Sequence, residues 1–322
     1  MKVMTFLGLL PALIGVTASA QAPFPSKPIQ LIVSAAPGAG TDLMARTLSD
    51  RLGQRLGTPV IVDNRPAAVG RVAAQGLRKA APDGYTLMFT NDNLVLSLAL
   101  GTALDVNVIT DFQHIVLTAT SDFFLVVSGD LLKATNAQEF VQIAKAAPGK
   151  ISYASPGVGA PHHLGMELFK LQTGTDIFHV PYKGMGPAVP DLLAGRVQAA
   201  ITGFPAVASQ MKSGKLRLLG VASATRSPEN PEVPTFREQG IPNVEIQGYN
   251  YLVAPLGIAP AIVARLNREI NEILKQPEVQ AELSKRGTTA LGGTPEQLTQ
   301  RLKAEAEKWT RVVKTIGIKP EQ

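Results

Sequence analysis

Ser34-Ala35-Ala36-Pro37-Gly38-Ala39-Gly40-Thr41-Asp42 joins an apolar, strand-like run, Ile29 to Val33, directly to an amphipathic helical pattern that begins near Thr41. Gly38 and Gly40 let the backbone turn tightly without a Cβ clash. The first amides of the following helix have no intrahelical partner, and a carboxylate or phosphate placed there is favoured. Alone, the stretch reads equally well as an ordinary strand-to-helix turn that needs glycine. A second loop of the same kind shifts the reading. Ser155-Pro156-Gly157-Val158-Gly159-Ala160-Pro161-His162-His163 again follows a strand-like run and precedes a helical pattern. Two such anion cradles, each at the carboxyl end of a strand, predict two domains that face one another across a cleft.

Outward from these loops the chain alternates strand-like and helix-like segments. Strands are expected at 29–33, 60–62, 85–89, 114–118, 123–127, 151–154, 177–180, 197–201, 216–221 and 249–253, and helices at 43–56, 137–146, 164–171, 189–193 and 262–274. That alternation predicts an α/β fold with mainly parallel sheets, and ten strands are too many for one comfortable sheet. Thr135-Asn136-Ala137-Gln138 and Thr294-Pro295-Glu296-Gln297 read as capping boxes that start helices. The long polar segment from Pro295 to about Thr315 carries Leu298, Leu302 and Trp309, which should dock it on a domain surface.

The N-terminus has the form of an export signal: Lys2, an apolar run from Val3 to Val16, and Ala18-Ser19-Ala20 as the small-residue cleavage site, so residues 1–20 are expected to be removed after Ala20. No later apolar run approaches the roughly 18 residues of a membrane span. The 322 residues include no cysteine, which excludes disulfides, thiol catalysis, thiolate metal sites and a lipid-bearing cysteine after the signal. The expected location of the mature chain is the periplasm. Net charge is +6, but Lys and Arg are scattered and aromatics make up 5%, so no basic stripe with stacking platforms exists for nucleic acid.

Several further motifs follow in order: Phe24-Pro25-Ser26-Lys27-Pro28-Ile29, Asp63-Asn64-Arg65-Pro66, Pro82-Asp83-Gly84-Tyr85-Thr86, Val180-Pro181-Tyr182-Lys183-Gly184, Gly186-Pro187-Ala188, Asp191-Leu192-Leu193-Ala194-Gly195 and Ala254-Pro255. With the Pro37–Asp42 loop, they make the chain resemble the periplasmic receptors of tripartite tricarboxylate transporters, also called Bug receptors, along its whole mature length. The resemblance implies a two-domain type II periplasmic binding protein (flytrap) fold with a mainly parallel sheet in each domain and two crossover strands. Domain 1 would comprise residues 21–123 and 247–322, and domain 2 residues 124–246, with crossings near 123–127 and 249–253.

It also implies a small mono- or dicarboxylate ligand held between the loops, and delivery to the membrane subunits of the transporter by a monomeric receptor. Carried over by position, the contacts are Ala36, Gly38, Ala39, Gly40, Thr41 and Asp42 from the first loop, and Ser155, Gly157, Val158, Gly159, Pro161 and His162 from the second. The chain departs from the family pattern in three places. Ala39 stands where the family has glycine. Ala67-Ala68-Val69-Gly70-Arg71 replaces a glycine-rich run and offers Arg71 to a second carboxylate, or leaves it an exposed arginine without that role. The segment Arg196 to Phe204 lacks the usual acids, which argues against an ammonium ligand; Thr202 of that segment is assigned to the ligand.

Asn91 and Asp92 either line the cleft or cap the next helix, and Asn91 is assigned to the ligand. His114 and His179 sit in or beside apolar strands and read as satisfied core or edge residues. His163 and Glu167 have helical i, i+4 spacing but no third ligand in view, so neither metal nor cofactor is expected. There is no Gly-x-Ser-x-Gly elbow and no Walker lysine, and Gly38-Ala39-Gly40 lacks the third glycine of a dinucleotide fingerprint. Ser155 with His162 or His163 is the one hydrolase pair worth considering. A ligand sensor that signals to a membrane receptor kinase would use the same closed surface as a transport receptor.

Overall fold

The computed structural model describes residues 24–67, 70–102, 105–129, 131–211 and 213–318. The expected export signal and its cleavage after Ala20 lie outside the described residues. In chain order the elements are β1 (Ile29–Val33), α1 (Gly40–Leu56), β2 (Val60–Asn64), α2 (Arg71–Arg78), β3 (Thr86–Asn91), α3 (Asn93–Ala99), β4 (Phe112–Ser128), α4 (Ala137–Ala146), β5 (Ser152–Ser155) and α5 (Pro161–Thr173). They continue with β6 (Phe178–Pro181), α6 (Met185–Leu193), β7 (Ala199–Gly203), α7 (Ala208–Met211), β8 (Leu216–Val221), β9 (Gln247–Pro255), α8 (Pro260–Leu274), α9 (Pro277–Ser284), β10 (Thr288–Ala290) and α10 (Pro295–Ile316).

β1 is buried nearly throughout because β-branched and leucine side chains face helices on both sides of it, as a central parallel strand requires. It pairs in parallel with β2 and β3. In the second domain β5 pairs in parallel with β6 and β7. Every antiparallel pair involves β4 or β9, the strands that run between the domains.

The segments 114–118 and 123–127 are one strand of 17 residues rather than two. The polar residues between them, Thr120 to Asp122, looked like a break in the sequence. In the fold they are where β4 changes partner: it pairs with β9 as far as Asp122 and with β7 and β8 from Phe123 onward. The return occurs where Ile246 still donates to Ala222 O, while Gln247 already pairs with Asp122.

The first capping box is displaced by one residue. Asn136, not Thr135, caps α4 by accepting from Glu139 N, and the Glu139 carboxylate accepts from Thr135 N and Oγ1. The second box, at Thr294 with Gln297 and Pro295 at the first helical position, is present as expected. His114 is buried and satisfied within 3.0 Å by Thr299 Oγ1 and Val108 O.

α10 does more than dock on one surface. Its 22 residues span about 33 Å at 1.5 Å per residue. Leu298 and Leu302 enter the core formed with Phe112, Tyr249 and Tyr251, whereas Trp309, Val312 and Val313 enter the core of the second sheet with Phe140 and Phe169. The C-terminal end of α3, through Leu96 and Ala99, joins that second core as well. Trp309 is 2% exposed and its Nε1 donates to Glu305 Oε2 at 2.9 Å. Trp309→Ala should therefore cost about 3–5 kcal/mol, the range for deleting a large buried aromatic. Urea unfolding followed by circular dichroism measures it, and a loss below 1 kcal/mol would show that the helix does not bind the domains together.

Candidate functional site

The carboxyl ends of β1, β3 and β7 open onto a cavity of about 700 Å³. Its wall draws on the first loop through Ala36, Ala39, Gly40 and Thr41, on the end of β3 through Asn91 and Asp92, on β4 through Phe123 where it changes partner, and on the second domain through His162, Met185 and Thr202.

The first loop is held by a buried carboxylate. Asp42, 1% exposed, accepts from Gly38 N at 2.8 Å, Arg46 Nε at 3.0 Å and Asn64 Nδ2 at 2.8 Å, and Asn64 also donates to Ala35 O. Burial pushes the Asp42 carboxyl up, but the donors Arg46, Gly38 and Asn64 outweigh burial and leave it below its ordinary value. Gly38 sits at φ 82°, the left-handed region that the turn requires. Ala39, the N-cap of α1, has φ −70° and ψ 158°, which any residue adopts, so the alanine found there is unstrained. No side chain caps α1. Asn91 does two jobs: Oδ1 accepts from Asn93 N, and Nδ2 donates to Thr41 Oγ1 at 3.1 Å. Thr41 thus keeps its own hydroxyl proton for another acceptor.

The second loop rests on neutral rings. His163 Nδ1 accepts from Gly159 N at 3.1 Å, His163 stacks on His179 with centroids 4.2 Å apart, and His179 stacks on Tyr153 at 4.8 Å. Ser155, fully buried, accepts from Gly157 N, and its Oγ lies 2.7 Å from His179 Nε2. The serine thus meets His179, and neither His162 nor His163 is its partner. A Cβ on Gly159 would come within 2.7 Å of Leu100 Cδ1, and its φ is 78°. α5 starts at Pro161 with Ala160 as an N-cap that offers no side chain to the amides. His162 meets Phe123 edge-on at 4.9 Å.

Of the residues assigned from sequence, Ala36, Ala39, Gly40, Thr41, Asn91, His162 and Thr202 lie on one cavity wall. Gly38, Asp42, Arg71, Ser155, Gly157, Val158, Gly159 and Pro161 stand off it; Arg71 is the first residue of α2. Sequence reasoning missed Phe123, Met185, Asn250 and Arg286, which also line the cavity. Met185 opens α6, whose N-cap is Gly184, and Phe123 marks the change of partners in β4; only the latter carried a signal, as an aromatic that begins an apolar run. The Arg286 guanidinium is engaged by Thr47 Oγ1 and Glu282 Oε1, each at 3.0 Å.

A family model described as the tripartite tricarboxylate transporter family receptor matches residues 44–318. Protein BugT of Bordetella pertussis is 36% identical over 321 residues, which cover 99% of this chain and 98% of that protein. The chain belongs to the tripartite tricarboxylate transporter receptor family. Among solved structures, R. palustris Rpa4515 with adipate is 31% identical and superposes on this receptor with a TM-score of 0.79, covering 92% of this chain and 100% of that one. MatC from Rhodopseudomonas palustris with bound malate is 28% identical with a TM-score of 0.74, covering 90% and 100%. The receptor therefore has the two-domain fold of periplasmic solute-binding proteins. Among its described residues no helix is long and apolar enough to cross a membrane.

Three titratable groups on or behind the wall are shifted by burial. Asp92 is pushed up from 3.8 to about 7, and His162 and His163 are pushed down from 6.5 to about 4. The raised acid binds its proton more tightly when folded, so its contribution to stability is present at low pH and lost as pH rises toward 7. The depressed histidines act oppositely: their contribution is present at neutral pH and lost as pH falls from 6.5 toward 4. Asp92→Asn removes the first effect alone. Its melting-temperature advantage over the parent receptor should be small at pH 4 and grow up to pH 7. An advantage independent of pH, read by calorimetry, would contradict this account.

Proposed function

We propose that this receptor captures a small organic carboxylate in the cavity between its domains and delivers it, unaltered, to the membrane subunits of a tripartite tricarboxylate transporter. One observation carries the reading: α1, α5 and α6 all begin on the cavity wall, and their N-caps, Ala39, Ala160 and Gly184, supply no capping side chain. Each helix start carries roughly half a positive charge on its free amides. Among the described residues the only cation on that wall is Arg286, already engaged by Glu282 and Thr47. An anion is thus best met by backbone amides, with the Thr41 hydroxyl beside them. The adipate and malate in the names of two structural neighbours agree with a carboxylate.

In this reading Ala36, Gly38, Ala39, Gly40, Thr41 and Asp42 form the first jaw, with Asp42 and Gly38 shaping it rather than touching ligand. Ser155, Gly157, Val158, Gly159, Pro161 and His162 form the second, which closes over the ligand. Asn91 and Thr202 line the cleft between them. Residues 21–123 with 247–322 and residues 124–246 are the closing units, and the hinges lie where β4 and β9 change partners. No catalysis is assigned, because the Ser155 hydroxyl is buried and engaged by the second loop and His179. The receptor works as a monomer in the periplasm after cleavage behind Ala20.

A Cβ built on Gly40 meets nothing within 4 Å, so a side chain there extends into open space at the start of α1. Gly40→Leu should unfold at the same urea concentration as the parent, while the thermal shift produced by a bound carboxylate disappears. For the parent, a carboxylate at 100 times its dissociation constant should add about 2.7 kcal/mol. A Gly40→Leu protein that keeps the shift would defeat the proposed jaw.

A further inference from the structure

Four residues on the cavity wall carry buried polar atoms with no hydrogen-bond partner: Thr202 Oγ1, His162 Nδ1, Asn250 Oδ1 and, on the same strand as Asn250, Tyr249 OH. Thr202 is fully buried, opposite Phe124 in the β4–β7 ladder. A buried polar group left unmade is costly and uncommon, and four around one cavity point to a ligand that completes them. All four groups are uncharged. Their neighbours on the wall include the apolar side chains of Phe123, Met185 and Pro205. Arg286 is spoken for, and Asp92, the acid on the wall, offers no positive charge. Moving a second carboxylate into such surroundings leaves it without a compensating cation.

Resting on the carboxylate reading above, we infer that the part of the cavity wall bearing Thr202, His162 and Asn250 is a neutral polar subsite. Thr202, His162 and Asn250 there select a monocarboxylate whose other end is an uncharged hydrogen-bond donor, a hydroxyl or a primary amide, over a dicarboxylate. The donor is specified by the Asn250 amide oxygen, which only accepts, and by the threonine hydroxyl, which can do so. The receptor thereby separates itself from neighbours crystallised with adipate and malate.

The test is isothermal titration calorimetry with two matched sets: hexanoate, 6-hydroxyhexanoate, 6-amino-6-oxohexanoate and adipate; and 4-methyl-, 4-hydroxy- and 4-carbamoylbenzoate with terephthalate. Within the set that fits, the hydroxyl or amide member should bind about tenfold or more tighter than both the methyl-ended member and the diacid. Thr202→Val should shrink the advantage of the hydroxyl over the methyl-ended member about tenfold, and Thr202→Ser should retain it. A diacid that binds tightest, or a ratio that Thr202→Val leaves in place, overturns the neutral subsite while the receptor reading stands. Failure of all eight acids to bind at millimolar concentration overturns the receptor reading itself. Should Thr202→Val not fold, the ranking of the eight acids on the parent protein decides alone.

Discussion

Asp42 is the interaction on which the cleft depends. A carboxylate with 1% exposure is tolerated only when its lone pairs are met, and here Gly38 N, Arg46 and Asn64 meet them. Each donor fixes something different. Gly38 N ties down the turn, Arg46 ties the first turn of α1 to the next, and Asn64 ties the end of β2 to Ala35 O. The anion is therefore spent on shaping a loop whose exposed face is backbone. That arrangement explains how an acidic side chain can sit in the first turn of α1 without facing the cavity: Asp42 is turned away from it, and no side chain caps the first amides of α1.

The proposed closure has to pass through a narrow set of elements. β4 and β9 carry the chain between domains in adjacent, antiparallel register, so both crossings lie side by side, at Asp122–Phe123 and Ile246–Gln247. α10 crosses the same boundary with its hydrophobic face divided between two cores. Over the boundary its polar face presents Arg301, above the Tyr249 ring, and Glu305, which Arg301, Lys308 and Trp309 engage. A helix packed into both domains resists their sliding apart far more than a rotation about its own line of contact, since rotation conserves most of its buried area. The proposed closure is therefore a hinge at the β4–β9 crossings with α10 as its backing.

What the sequence made legible was whatever depends on local chemistry. Gly38 and Gly159 announced turns at positive φ, Thr294 and Gln297 a capped helix, and 137–146 a helix with the same bounds in the fold. Family motifs supplied the architecture. The parts that stayed hidden depend on long-range pairing. β4 was read as two strands because Thr120 to Asp122 break the apolar pattern, yet strands that change partners need no apolar face at the point of change. Arg286 and Asn250 reach the cavity from the α9–β10 connection and from β9, distant in sequence from both loops and with nothing local to mark them. Val158 and Gly157, assigned by position, stand off the cavity because the second loop leans on Leu100 and the histidine stack.

The two loops are supported by opposite chemistry, and the difference governs how the cleft responds to acid. The first depends on an anion whose proton affinity its donors have lowered, so it stays ionised below the ordinary carboxylate range. The second depends on His163 and His179, stacked and uncharged; burial lowers both, and each would repel the other if protonated. Glu167 pulls in the other direction, favouring the protonated rings, but it is tied up by Tyr153 OH and Lys170 Nζ at 2.6 Å each. With His163 near 4, its support for Gly159 persists across the mildly acidic range. The group on the cavity wall that changes its charge between about pH 4 and 7 is Asp92, pushed up to about 7 by burial. Because it loses its proton as pH rises, the wall grows more negative toward neutrality, and in the proposed reading the helix starts of α1, α5 and α6 hold a ligand's carboxylate against that field.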